Sequence, residues 1–137
     1  MDYSQWIIIV AEDEYDSLQT ISMILKHNGI QLHIARNGRE CLHLLQQVTP
    51  TVVILDLMMP ELDGWATLAQ IRADQRIAHL PVVAVTAYYS VEMMEEARLA
   101  GFDGFFNKPV SPTKFVQKLA EIVSKKRSTS EKLDNSF

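Results

Sequence analysis

A single cysteine, Cys41, is all the thiol chemistry this chain has, so it can form neither a disulfide framework nor a cysteine-based metal cluster. No apolar run approaches the roughly 20 residues that a membrane span needs. Basic residues are not in excess: 13 Lys and Arg stand against 17 Asp and Glu, giving a net charge of −4, which argues against non-specific binding to nucleic acid or a membrane surface. No basic segment precedes the first apolar run, where Asp2 stands, so a signal peptide is not expected. His27, His33, His43 and His79 are scattered without ligand spacing, and no internal repeat is visible. What remains is a chain of 137 residues, 47% hydrophobic, long enough for one soluble domain with a full core and expected in the cytoplasm.

Short apolar runs alternate with helical stripes five times. Trp6 to Ala11, Val52 to Leu55 and Val82 to Val85 are rich in Val and Ile and read as central strands buried on both faces. Ile30 to Ala35 is a more exposed strand, and Phe102 to Phe106 a short fifth one. Between them lie apolar stripes at helical spacing. The first is Tyr15, Leu18, Ile21 and Leu25, stopped by Asn28-Gly29, and the second is Cys41, Leu44, Leu45 and Val48. Trp65, Leu68 and Ile71 form a third, Met94 and Ala97 a fourth, and Phe115, Val116, Leu119, Ile122 and Val123 the last, with Ser111 as its cap and Pro112 at its first position. Five strand–helix units with short connections need right-handed crossovers. The expected fold is therefore α/β, a flavodoxin-like doubly wound (βα)5 parallel sheet of strand order 2-1-3-4-5. Residues 1–124 form the domain, and 125–137 a polar tail expected to be mobile or a weak helix extension.

Polar groups stand just past the apolar runs: Glu12-Asp13 after the first, Asp56 after the third, Thr86 after the fourth and Lys108 after the fifth. In a parallel sheet these ends share one edge, where open α/β sheets bind ligands. Carboxylates, a hydroxyl and an ammonium meeting there describe a site for a divalent cation and a phosphoryl group. Taken singly, each has a bland reading. Glu12-Asp13 could cap the next helix, Thr86 could be an ordinary strand residue, and Lys108 could lie on the surface. Asp56 is harder to dismiss, because a carboxylate ending a central strand is unfavourable without a partner.

Glu12-Asp13-Glu14, Leu55-Asp56-Leu57-Met58-Met59-Pro60, Asp63-Gly64, Val85-Thr86-Ala87 and Lys108-Pro109 occur in this order from about Trp6 to Val123. Together they resemble the response-regulator receiver domain of two-component signalling, in its stand-alone chemotaxis or cell-cycle form. The resemblance implies a phosphoprotein of a phosphorelay, with Asp56 as phosphoacceptor. Mg²⁺ (or Mn²⁺) would be held by Asp13, Asp56 and the Met58 backbone carbonyl, with Glu12 acting through water. It also implies that Lys108 and Thr86 bind phosphoryl oxygens, that Thr86 and Phe105 switch together, and that the Lys108–Pro109 peptide is cis. Met58 and Tyr88 would border the path of the hydrolytic water and shield the acyl phosphate, giving slow self-dephosphorylation. The implied partners are a sensor histidine kinase or histidine phosphotransfer protein and a downstream protein target, with no nucleic acid and no membrane.

Three rivals stay open at the level of sequence. A Mg²⁺-dependent phosphohydrolase would use the same nucleophile, but the usual second acid two residues on is replaced by Met58. An interaction module that kept only the fold has no need of Asp13, Asp56, Thr86 and Lys108 together. A flavodoxin-like electron carrier would find Glu12-Asp13-Glu14 repelling its flavin phosphate.

Overall fold

The computed structural model describes residues 2–135. Its elements follow in strict alternation: β1 (Ile7–Ala11), α1 (Tyr15–His27), β2 (Gln31–Ala35), α2 (Gly38–Leu45), β3 (Val52–Asp56), α3 (Gly64–Ala73), β4 (Val82–Thr86), α4 (Val91–Ala100), β5 (Gly104–Asn107) and α5 (Phe115–Asn135). All neighbouring strands pair in parallel, in the order β2-β1-β3-β4-β5 expected from the sequence.

Side chains alternate across the sheet with the period of two that a pleated strand imposes. Ile9, Ala11, Val53, Leu55, Val82 and Ala84 face a layer holding Cys41, Leu45, Leu68, Ile71 and Ala97 of α2, α3 and α4. Ile8, Val10, Val52, Ile54, Val83 and Val85 face Leu18, Ile21 and Leu25 of α1 with Phe115, Val116 and Leu119 of α5. Each fully buried aliphatic side chain of this kind contributes about 2 kcal/mol. These two layers fix the sheet, and with it the edge where the polar groups emerge.

Local chemistry explains most helix ends. Gly29 and Gly101 both have positive φ, and the amides that follow them, those of Ile30 and Phe102, bond back to the Leu25 and Ala97 carbonyls. Both are Schellman closures, in which glycine takes the left-handed position at no steric cost. The second of them moves Phe102 out of the expected fifth strand, which starts at Gly104. Four further expectations need correction. Tyr15 is exposed and its hydroxyl accepts a bond from Gln19, so it lies outside the buried stripe. Met94 is also exposed, which leaves Ala97 as the one buried residue of α4. Helix α2 stops at Leu45, leaving Val48 past the turn that follows it. The Ser111 hydroxyl pairs with that of Thr113 while its carbonyl accepts the Phe115 amide, so Pro112 lies in a turn and the regular helix starts at Phe115.

From residue 125 to Asn135 the polar segment continues as part of α5. Among the described residues, no helix is long and apolar enough to cross a membrane.

Candidate functional site

Glu12 and Asp13 follow β1, Asp56 and Thr86 are the last residues of β3 and β4, and Lys108 follows β5. Parallel pairing therefore brings all five to one edge. Carboxylate oxygens of Glu12, Asp13 and Asp56 lie within 4.8 Å of one another, a grouping of metal-binding side chains that no other described acids, histidines or cysteines form. Glu12 is fully buried, Asp56 is 5% exposed and Asp13 stands in solvent.

The acids are not spent on capping. Helix α1 has Glu14 as its N-cap residue with no side-chain cap, and near its start Glu12 Oε2 accepts the Glu14 amide at 3.3 Å. Lys108 Nζ lies 2.5 Å from Glu12 Oε1 and 3.1 Å from Asp56 Oδ2. The contact to Glu12 is an ion pair without hydrogen-bond geometry, so Glu12 Oε1 is a buried oxygen with no hydrogen-bond partner. The Lys108–Pro109 peptide is cis.

Two buried carboxylates and a part-buried ammonium leave this cluster electrostatically unbalanced. Burial, then the hydrogen bond and negative charge of Glu12, push the Asp56 carboxyl up to about 7, against the opposing pull of the Met58 amide and Lys108. Burial also works to raise Glu12, but the neighbouring Asp56, Lys108 and Ser17 side chains outweigh it and hold that carboxyl below its ordinary range. Burial works to lower Lys108, yet Glu12 and Asp56 hold it above the usual ammonium value. One ammonium faces two buried carboxylates and a third carboxylate beside them. An all-oxygen donor set with excess negative charge fits a hard divalent cation such as Mg²⁺ or Mn²⁺.

The connection after Asp56 is shaped to pass close by it. The Met58 amide donates to Asp56 Oδ1 at 3.2 Å. Asp63 caps α3 by accepting the Ala66 amide at 2.8 Å. A Cβ at Gly64 would collide with the Asp56 backbone, which is why Asp-Gly stands there. Thr86 is buried and its hydroxyl accepts the Tyr88 amide at 3.1 Å. Phe105 is half-buried, its ring centroid 5.7 Å from that of Tyr89. Met58 and Tyr88 face largely to solvent, 62% and 65% exposed, so neither covers Asp56 in this state. Trp65 packs edge-on against Phe102. One participant escapes a reading of the sequence: Asn37, which reaches the loop after β3.

The family model for the response regulator receiver domain matches residues 8–120. The chain belongs to the response regulator receiver domain family. The receiver is 31% identical over 114 residues to an uncharacterised 14.6 kDa protein in the sodA1 3′ region of Leptolyngbya boryana, covering 83% of this chain and 87% of that one. It is 26% identical to the polar-differentiation response regulator DivK of Brucella anthropi, over 80% and 89% of the two chains. Its fold superposes on the chemotaxis response regulator CheY4 of Vibrio cholerae with a TM-score of 0.78 at 25% identity, covering 85% of this receiver and 98% of that chain. A receiver is a signalling module of two-component systems, and the acidic cluster at the sheet edge is of a kind that binds divalent metal.

Proposed function

We propose that this receiver accepts a phosphoryl group on Asp56 from the phosphohistidine of a sensor histidine kinase or phosphotransfer protein, and signals through a protein surface that changes on phosphorylation. The observation that carries the reading is the grouping of Asp56 with Glu12, Asp13 and Lys108 at the carboxyl edge of the sheet. An Asp56 carboxylate oxygen attacks phosphorus, the P–N bond to histidine breaks, and an acyl phosphate forms. Asp13, Asp56 and the Met58 carbonyl would hold Mg²⁺ or Mn²⁺, with Glu12 acting through water; the bound cation supplies neutralisation of the negative charges that would otherwise repel. Lys108 places a compact positive charge beside Asp56, where a phosphoryl oxygen will lie. This is positioning and electrostatics, as phosphoryl transfer requires.

The signal leaves through Thr86. Its hydroxyl accepts the Tyr88 amide in this state, and turning its proton toward a phosphoryl oxygen draws the β4–α4 connection with it. Phe105 follows into the space released. Helix α4 is suited to respond, because Ala97 is its one buried residue and few apolar contacts hold it. Tyr88, Tyr89 and Glu92 lie on the surface that would be altered.

Incubation with acetyl phosphate and Mg²⁺ followed by intact mass tests the assignment. Wild type is expected to gain one phosphoryl mass, and Asp56→Asn none. A gain that persists in Asp56→Asn moves the site elsewhere, and equal labelling in chelator removes the cation. Continuous hydrolysis of a generic phosphoester would make the protein a phosphohydrolase instead.

A further inference from the structure

The connection between β3 and α3 is held in an unusual shape from outside. Its ends close on each other where the Gly64 amide donates to the Leu57 carbonyl at 3.1 Å, and the Leu62 amide turns back to the Pro60 carbonyl at 2.7 Å. Between them Glu61 has φ +66°, a left-handed conformation that a residue with a side chain keeps only when its surroundings impose it. Two bonds from the start of α2 impose it here. Asn37 Nδ2 donates to Glu61 Oε2 at 2.7 Å, and the Gly38 amide donates to the Leu62 carbonyl at 3.0 Å. Asn37 is buried, and its other end accepts the Glu40 amide at 2.9 Å as the cap of α2. One side chain thus ties a helix cap to the apex of a loop 24 residues away.

That loop also carries Met58, three residues before Glu61, whose amide already binds Asp56. We propose that Asn37 is a positioning residue of the cation site: its amide holds Glu61 left-handed and so sets the course of the loop that carries the Met58 carbonyl. The inference rests on the cation role proposed above for that carbonyl. Without the tether Glu61 relaxes toward ordinary backbone angles, and the carbonyl leaves its place. A merely structural role for Asn37, as the cap of α2, makes a different prediction, because the cap and the tether use opposite ends of the same amide.

Calorimetric titration of Mg²⁺ into the full chain separates the two roles. Asn37→Ser keeps an N-cap oxygen of comparable strength but has no amide to reach Glu61. It is expected to bind Mg²⁺ about tenfold more weakly, the size of effect typical of groups that orient a metal ligand. Adding Glu61→Gly should bring the affinity back to within about twofold of wild type, since glycine occupies φ +66° without being held. Wild-type affinity in Asn37→Ser, or a loss that Glu61→Gly does not restore, overturns the proposal. A wild type that takes up no Mg²⁺ overturns it together with the cation reading. If the loss and the rescue both appear while acetyl phosphate adds no mass, the positioning role stands and only the phosphoacceptor reading fails.

Discussion

Charged clusters sit at both edges of the sheet, and they are built on opposite rules. At the far edge, where the strands begin, Arg72 donates to the carbonyls of Ala78, Leu80 and Gly101 and pairs with Asp103 at 2.9 Å. Asp103 is completed by the Val82 amide and by Lys126 at 3.1 Å. Every charge there has its partners, and the result ties α3, β4, β5 and α5 together. At the carboxyl edge Asp56 and Glu12 share one ammonium, with the Asp13 carboxylate beside them and no cation of its own among the described ion pairs. Polar groups satisfied in full hold a fold together; groups held together with their charge uncompensated are the kind expected at a functional site.

The largest contrast should come from breaking each cluster in turn. Arg72→Ala leaves three carbonyls and Asp103 short of partners and is expected to cost about 3 kcal/mol of stability in urea unfolding, while labelling of Asp56 persists. Little change in the unfolding midpoint would mean that the far-edge cluster is ornamental.

At the carboxyl edge the sign reverses. The Asp56 carboxyl is raised to about 7 by its burial and then by Glu12, so its folded value lies above its unfolded one. The folded state therefore binds a proton more tightly, and the stability this provides is present below about pH 4 and is lost as pH rises toward 7. In chelator at pH 8, Asp56→Asn should be more stable than wild type by about 2 kcal/mol, less than the shift alone implies because Glu12 shifts the opposite way. The gain should shrink toward zero at pH 4 and diminish on adding Mg²⁺. Destabilisation by Asp56→Asn at pH 8 would show that the site is not strained by its own charge.

The smallest effect concerns how long the acyl phosphate lasts. Slow self-dephosphorylation is expected, because Met58 cannot orient an attacking water and both Met58 and Tyr88 are bulky enough to exclude one. Both side chains face solvent, so shielding requires them to turn inward. Met58→Asn with Tyr88→Glu should hasten phosphoryl loss several-fold, about what one added hydrogen bond to the water contributes. An unchanged or slower rate in the double variant removes both residues from control of the lifetime.

Much of this molecule is written locally. The runs ending at Ala11, Leu55 and Val85 announce buried parallel strands, Gly29 and Gly101 mark helix ends, and parallel pairing then sets the edge at which Asp13, Asp56, Thr86 and Lys108 meet. Periodicity works here because burial on two faces leaves a repeating trace in the chain. It misleads where an apolar residue has a place in the pattern but no neighbour to pack against, as with Tyr15 and Met94. Asn37 and Glu40 have the spacing of a helix start, a signal that could have marked the cap but not its second bond, to Glu61. Arg72 and Asp103, 31 residues apart, leave no local trace at all. The amino-acid sequence by itself determined the five-stranded frame and the types of group at its carboxyl edge, since both follow from short-range pattern. Only the tertiary structure decided which charges are satisfied and which are left waiting, because that depends on distances between residues the chain keeps far apart.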